Sequence, residues 1–213
     1  MDGPVDGTSG GPDPLRVLVA GGGSAGWMAA ATLDAALNRE GARAVAITVV
    51  ESPDTPRIGV GEATIPTLRR TLRRLRIPEA EFLAATDATF KQAIVFADWS
   101  GPGSGFAHPF HTRPGDAGEQ AAARFLRSDG RTPFADLTTP QPALAAAFRG
   151  PRRAADPDYA GPLPYAYHMD AEAFAELLAA RAVARGVARV SAHLLAPERA
   201  PDQPLAAVQA RDG

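Results

Sequence analysis

The sequence predicts an α/β fold that begins with a strand, a glycine-rich turn, a helix and a second strand. A short apolar run at residues 16–20 leads into three consecutive glycines and then into an alanine-rich segment that favours a helix. A second apolar run at residues 44–50 follows and ends on Glu51. Because strand–helix–strand units of this size are parallel in nearly all proteins, we expect the beginning of a parallel sheet.

The amino-acid composition excludes several classes of function. The 213 residues include 24 acidic and 22 basic side chains, give a formal net charge of −2, and contain no cysteine. Without a basic excess, binding to nucleic acid or to an anionic membrane surface is disfavoured. Without cysteine there is no disulfide framework, zinc–thiolate site or thiol catalysis. No stretch has the pattern of a membrane span or an export signal, so we expect a cytoplasmic protein.

The middle of the chain predicts one helix and one long irregular region. Residues 65–75 form an amphipathic pattern with leucines on one face and arginines on the other, and we expect those arginines to be solvated rather than to bind an anion. Residues 100–165 hold ten of the chain's twenty prolines and eight of its glycines. That composition predicts loops, with a single short helix near residues 120–127.

Regular structure is predicted to return near the end of the chain. Asp170 is a suitable N-cap for a helix with an apolar stripe, and Gly186 is a suitable stop. Residues 187–195 then predict a third strand. The last eighteen residues predict no complete element, and residues 1–14 predict a disordered leader because they are rich in glycine, proline and aspartate.

The glycines after the first strand have the spacing of a dinucleotide-binding turn. Gly21 would permit the tight turn, Gly23 would let the backbone approach a pyrophosphate, and Gly26 would let helix and strand pack closely. Glu51, at the end of the second strand, could accept hydrogen bonds from the hydroxyl groups of an adenosine ribose. The pattern therefore predicts an adenine dinucleotide site, but by itself it does not separate FAD from NAD, and a turn without any ligand is the alternative.

A single lysine stands out among the basic residues. The chain has 21 arginines and one lysine, Lys91. An arginine would have sufficed for positive charge alone, whereas a lysine amine is compact and can donate to or react with an electrophile. Apolar neighbours such as Phe90 and Ile94 predict that the amine is partly buried. The alternative is an ordinary surface lysine.

Several blocks of the sequence form a recognisable series, and the run Gly-Glu-Ala-Thr-Ile-Pro at residues 61–66 is the most specific of them. The blocks are residues 21–28, 51–66, 89–94, Trp99, 106–110 and 167–170. Together they resemble the flavin-dependent halogenases, and most closely their tryptophan halogenase branch, because they follow one another in that family's order with similar separations. The resemblance covers residues 15–110 and 165–195.

The resemblance implies a Rossmann-like FAD-binding domain of the flavin monooxygenase type, incomplete at its C-terminus. It also implies halogenation of an aromatic, tryptophan- or indole-like substrate by means of oxygen, halide and reduced FAD, the last supplied by a separate flavin reductase. Lys91 would direct the hypohalous acid, and His108 and Phe110 would flank the substrate ring. The residues that would contact FAD are Gly21, Gly23, Ser24, Ala25, Gly26, Glu51, Ser52, Arg57, Val60 and Ala63.

The remaining expectations concern organisation and partners. The implied regions are a leader at 1–14, an FAD-binding unit with the segment 56–66 and the catalytic lysine at 15–99, a loop region near the substrate at 100–165, and a returning helix and strand at 166–213. The segment 56–66 is expected to act as a strap between the flavin and the substrate chamber.

No metal is expected, because His108 and His111 have no third ligand nearby in the sequence. No nucleic acid or membrane partner is expected, and a homodimer of the full-length enzyme is left open.

Two departures from the family pattern matter. The family's motif Trp-x-Trp-x-x-Ile-Pro is absent, since the only tryptophans are Trp27 and Trp99. The family's catalytic glutamate and second flavin-contacting segment would lie beyond Gly213. We therefore expect an N-terminal portion of a longer enzyme, from a truncated gene, a fragment of a sequence, or a protein completed by another polypeptide. The alternatives are a non-catalytic FAD-binding remnant and an FAD-dependent monooxygenase, although a hydroxylase needs no halogen-directing lysine.

Overall fold

The computed structural model describes most of the chain, which divides into two compact units. Unit 1 comprises Met1–Ile58 and Glu172–Gly213, and unit 2 comprises Gly59–Ala171. Two residues expected to contact flavin, Arg57 and Val60, and all but the end of the predicted leader lie outside the described residues. Within the described part, no helix is both long enough and apolar enough to cross a membrane. The described residues are 13–38, 42–55, 61–111, 116–198 and 207–212.

The described elements begin strand–helix–strand and then follow one another in short runs of strands and of helices. They are β1 (Leu15–Ala20), α1 (Ser24–Leu37), β2 (Val45–Glu51), β3 (Gly61–Ala63), α2 (Leu68–Arg74), α3 (Glu79–Ala85), β4 (Thr89–Lys91), β5 (Ala93–Ala97), β6 (Gly105–Pro109), α4 (Asp116–Leu126), α5 (Phe134–Thr138), α6 (Gln141–Ala146), β7 (Ala166–Asp170), α7 (Ala171–Ala184), β8 (Ala188–Glu198) and β9 (Ala207–Asp212).

Unit 1 is built on a sheet in the order β1-β2-β8-β9. The predicted parallel strand–helix–strand unit is confirmed, since β1 and β2 run parallel and α1 connects them. The third predicted strand is present as β8, which lies parallel to β2. The prediction of no complete element near the end was wrong, because β9 pairs antiparallel with β8. Its short sequence has little strand propensity of its own, and pairing with β8 supplies what the local pattern lacks.

Side-chain contacts fasten the helices of unit 1 to one another and to the sheet. Asp34 on α1 is almost fully buried, and its carboxylate lies 2.5 Å from Nε of Arg185, which follows α7. Asn38 ends α1, and its side chain hydrogen-bonds both the backbone N–H and the carbonyl of Val45. As expected, α7 begins directly after Asp170 and ends before Gly186, whose φ of +95° lies in the left-handed region that favours glycine.

Unit 2 contains the antiparallel sheet β3-β7-β4 and the hairpin β5-β6. The region predicted as loops with one short helix instead contains α4, α5 and α6. Prolines misled the prediction, because here they mark where helices begin. Pro133 precedes α5, and Pro140 and Pro142 lie at the start of α6, where a missing N–H and a fixed φ are tolerated.

Two of the four arginines of α2 make specific contacts within unit 2. Leu68 and Leu72 are buried as the amphipathic pattern predicts. The guanidinium of Arg69, however, lies 4.1 Å from the ring centroid of Tyr165. Arg69 and Arg73 also donate hydrogen bonds to the backbone carbonyl of Tyr159, at 3.3 and 3.1 Å. The expectation of a simply solvated face was therefore wrong for Arg69, which is half-buried, whereas Arg70, Arg73 and Arg74 are exposed as expected.

A buried carboxylate organises the core of unit 2. Glu79, the first residue of α3, is 1% exposed. Its Oε1 accepts hydrogen bonds from the hydroxyls of Tyr165 at 2.7 Å and Tyr167 at 2.6 Å. Its Oε2 accepts one from the backbone N–H of Tyr159 at 2.7 Å and pairs with the guanidinium of Arg152. These donors compensate the cost of removing the charge from water.

This environment predicts that the stability of the chain falls at alkaline pH. Burial, reinforced by the hydrogen bond to Glu79, raises the pKa of Tyr165 from 10.0 to about 12 and raises the pKa of Tyr167 as well. Both hydroxyls hold their protons more tightly in the folded state than in the unfolded state. The stabilisation is therefore complete below pH 10.0, the unfolded value, and is lost as pH rises towards about 12.

Two measurements check this prediction. The free energy of unfolding, measured in urea across that pH range, is expected to fall, and Tyr165→Phe is expected to make the fall shallower. The absorbance of tyrosinate reports on the network, because two of the chain's three tyrosines bond Glu79 through their hydroxyls. The third hydroxyl, that of Tyr159, donates to the carbonyl of Ile77 at 2.6 Å. Identical titration curves for the folded and unfolded chain would contradict the prediction.

Candidate functional site

The glycine turn of unit 1 has the backbone geometry that its spacing predicts. Gly21 has a φ of +109°, and its N–H donates to the carbonyl of Val50 at 2.8 Å, which ties the turn to the end of β2. A Cβ on Gly26 would overlap the carbonyl oxygen of Gly21. Gly23 caps α1 without a side chain, and a Cβ there would meet nothing within 4 Å. The turn leaves space at a helix N-terminus, an arrangement that suits a phosphate group.

Glu51 lies against this turn and is held by an arginine that the sequence analysis missed. A Cβ on Gly22 would overlap the carboxylate of Glu51. Arg189 on β8 pairs with Glu51 through Nε and with Glu176 on α7 at 3.1 Å. Its guanidinium lies 5.6 Å from the ring centroid of the buried Trp27. Only the strand order, which places β8 beside β2, could have indicated Arg189.

A second missed cluster joins the loop after β2 to β8. Ser52 Oγ lies 3.1 Å from Nδ1 of His193, and Nε2 of the same ring lies 3.1 Å from a carboxylate oxygen of Asp54. His193 therefore bridges two loop residues from its place on β8. The cluster fixes the backbone directly after Glu51, where Ser52 was predicted to contact flavin.

The residues of unit 1 fit an adenine dinucleotide. Backbone amides at the start of α1, which begins with Ser24 and Ala25, could bind a pyrophosphate, and the carboxylate of Glu51 beside the turn could bind ribose hydroxyls. Arg57 and Val60 cannot be placed, because they lie outside the described residues. Among the residues that the structure describes, no group of three or more His, Asp or Glu side chains could hold a metal ion.

Unit 2 holds Lys91 at the end of β4. The side chain is buried, with 8% of the residue exposed, which confirms the partly buried amine expected from its neighbours. Nζ donates to the backbone carbonyl of Thr64 at 3.0 Å. It also lies 5.4 Å from the ring centroid of Phe110. The structure thus brings together the candidate catalytic lysine and one of the two candidate substrate contacts.

The carbonyl that accepts from Lys91 is itself held on β7. Thr64 N–H donates to the carbonyl of Tyr167 at 2.9 Å, and Tyr167 N–H donates to Thr64 Oγ1 at 3.0 Å. Thr64 follows β3, in which Ala63 lies opposite His168 of β7. The described part of the predicted strap, residues 61–66, is therefore joined to β7 beside the lysine.

The histidines near Lys91 differ in their surroundings. Partial desolvation, and after it the positive charge of Lys91, lowers the pKa of His168, which is an exposed residue of β7. His108 is exposed on β6, where it lies opposite Ile94 of β5. Phe110 is half-buried, and its N–H donates to the carbonyl of Gln92 at 3.0 Å. A substrate ring could stack on Phe110.

Comparison with known proteins gives consistent results. The tryptophan halogenase family model matches residues 16–213. The tryptophan 6-halogenase ThaL of Streptomyces albogriseolus is 36% identical over 186 residues, which cover 78% of this chain and 34% of the relative. The tryptophan 7-halogenase RebH of Lentzea aerocolonigenes is 34% identical, over 76% of this chain and 33% of the relative. The chain thus spans about a third of the length of these curated relatives.

Superposition on solved structures gives the same result as the sequence comparisons. The tryptophan 6-halogenase SttH of Streptomyces toxytricini superposes with a TM-score of 0.80 at 32% identity, covering 94% of this chain and 42% of that protein. A tryptophan halogenase of Shewanella frigidimarina superposes with a TM-score of 0.83 at 28% identity, covering 93% and 40%. The match of the family model to nearly the whole sequence, together with these relatives, shows that the chain belongs to the tryptophan halogenase family.

Proposed function

We propose that this chain carries the FAD-binding turn and the halogen-directing lysine of a flavin-dependent halogenase that acts on an aromatic, indole-like substrate. The observation that carries the proposal is the placement of the only lysine, Lys91, in a buried position beside Phe110, within a chain of this family. Relatives named as tryptophan halogenases support the class of substrate.

Unit 1 would bind the cofactor. The amides of the turn from Gly21 to Gly26 would hold the pyrophosphate, and Glu51 would accept hydrogen bonds from the adenosine ribose. Arg189 would keep the Glu51 carboxylate oriented while one of its oxygens bonds the ribose. A separate flavin reductase would deliver reduced FAD. Reduced FAD, when bound, would together with oxygen oxidise halide to hypohalous acid.

Unit 2 would direct the oxidised halogen. One N–H of the Lys91 ammonium donates to the backbone carbonyl of Thr64. The ammonium has further N–H donors that can hydrogen-bond the oxygen of hypohalous acid. A fixed donor orients the halogen atom, and the ring of Phe110 offers a stacking surface for the aromatic substrate. His108 would contact the substrate from β6, and Ser52 and Ala63, with Arg57 and Val60, would contribute to flavin contact.

Removal of the lysine amine tests the catalytic proposal. In the halogenating enzyme to which this chain belongs, Lys91→Ala and Lys91→Arg are expected to lower halogenated product by about 100-fold or more, because neither side chain presents a compact amine donor. Release of hydrogen peroxide from reduced FAD should continue. The matched control is Arg124→Ala, which removes a positive charge from the exposed face of α4. Halogenation retained in both Lys91 variants would remove this residue from the mechanism.

Neutralisation of Glu51 tests the cofactor site. Glu51→Gln is expected to weaken FAD binding by about tenfold, because a charged acceptor for the ribose hydroxyls is lost. The measurement is FAD binding by the chain, followed by flavin fluorescence. Glu176→Gln is the control, since Glu176 pairs with the same Arg189 but lies on α7, and it should change affinity by less than about twofold. Preferential binding of NAD, or equal losses in both variants, would contradict the proposal.

A further inference from the structure

The function proposed above gives no role to the buried carboxylate of Glu79. A charge that is 1% exposed is costly, and the chain surrounds it with two tyrosine hydroxyls, a backbone N–H and a guanidinium. All of these donors lie within residues 152–167, far along the chain from α3. The network therefore fixes β7 and the segment before it relative to α3.

A short series of hydrogen bonds leads from this carboxylate to the candidate catalytic amine. The hydroxyl of Tyr167 donates to Glu79 at 2.6 Å. The backbone of the same tyrosine makes reciprocal hydrogen bonds with Thr64, at 2.9 and 3.0 Å. The carbonyl of Thr64 then accepts from Nζ of Lys91 at 3.0 Å. Two residues thus separate the buried carboxylate from the lysine.

Aromatic packing forms a second connection to the same point. The ring of Phe90, the residue before Lys91, lies 5.3 Å from the ring of Tyr165 and 6.1 Å from the ring of Tyr167. These are the two tyrosines whose hydroxyls bond Glu79. In addition, the backbone of Lys91 pairs with Ala166, which lies between them in β7. The carbonyl that accepts from Lys91 and the backbone of Lys91 are therefore both positioned by residues of the β7 region, whose tyrosines bond Glu79.

We propose that Glu79 is a positioning residue for Lys91, acting through Tyr167 and Thr64. With 1% of its surface exposed, Glu79 is not accessible to a substrate or cofactor, and it sets where the amine is held. A lysine side chain has four rotatable bonds and loses much conformational entropy when it is fixed. One hydrogen bond to a poorly held carbonyl would therefore leave the amine distributed over several positions. Displacements of about 1 Å in a directing group reduce rates strongly. The catalytic role of this positioning rests on the proposed function, whereas the position of the amine can be tested without measuring catalysis.

The single lysine makes a direct test available. Protein grown with 13Cε-labelled lysine gives one side-chain resonance, because Lys91 is the only lysine in the 213 residues. Tyr167→Phe removes the hydroxyl that bonds Glu79 and keeps the ring contacts with Phe82 and Phe90. We expect this variant and Glu79→Gln to shift and broaden the Lys91 resonance. Acetylation of the amine by an activated ester should become about tenfold faster, as expected for loss of one hydrogen-bonded connection.

The control is Glu119→Gln, which makes the same charge change on the exposed face of α4 and should leave both readouts unchanged. Far-ultraviolet circular dichroism and thermal unfolding establish that each variant is folded. If Glu79→Gln does not fold, Tyr167→Phe decides alone. A folded Tyr167→Phe chain with an unchanged Lys91 resonance and acetylation rate would overturn the proposal.

The route through Thr64 has its own test. Thr64→Val removes the hydroxyl that bonds the N–H of Tyr167. If Tyr167 and Thr64 act in series, the double variant that combines Tyr167→Phe with Thr64→Val should change the acetylation rate by less than the product of the two single effects. A double-variant effect equal to that product would overturn the route through Thr64. In an active enzyme, Tyr167→Phe should lower kcat and raise the ratio of peroxide to halogenated product, with KM for the aromatic substrate unchanged. If the unaltered enzyme does not halogenate, the proposed function fails, and the resonance and acetylation rate still decide the positioning.

Discussion

The buried charge of Glu79 is the constraint on which unit 2 depends. A carboxylate without partners in an apolar interior would cost several kcal/mol, so the folded state of unit 2 is stable only with its donors in place. They come from a region with little regular structure between α6 and β7, including Arg152, Tyr159 and Tyr165. Asp158 in the same region accepts a hydrogen bond from the backbone N–H of Glu79 at 2.9 Å. The region is thus ordered by polar contacts rather than by helices or strands.

The sequence predicted unit 1 well because its signals are local. The apolar runs, the spacing of Gly21, Gly23 and Gly26, and the acidic end of the second strand all lie within 36 residues. What it missed there depends on strand order. Arg189 reaches Glu51 only because β8 lies beside β2, and β9 exists only by pairing with β8. Single-sequence patterns carry no information on which strands become neighbours.

For unit 2 the sequence singled out Lys91 but did not predict the contacts that surround it. Lys91 was conspicuous because the chain otherwise uses arginine, and its burial followed from apolar neighbours. The contacts that hold it join residues far apart in the sequence: Thr64 lies 27 residues away, and Glu79 lies 88 residues from Tyr167. Proline content also suggested loops where short helices occur, because proline opens a helix as readily as it interrupts one.

The contact between Gly22 and Glu51 bears on how such turns are recognised. In the usual fingerprint only three glycines are specified, and position 22 is one of the unrestricted residues. Here any side chain at that position would occupy the space of the Glu51 carboxylate. An alanine there would preserve the fingerprint in an alignment while displacing the acidic group that we propose binds the ribose. For chains with this geometry, the informative pattern is four glycines read together with the acid that ends the next strand.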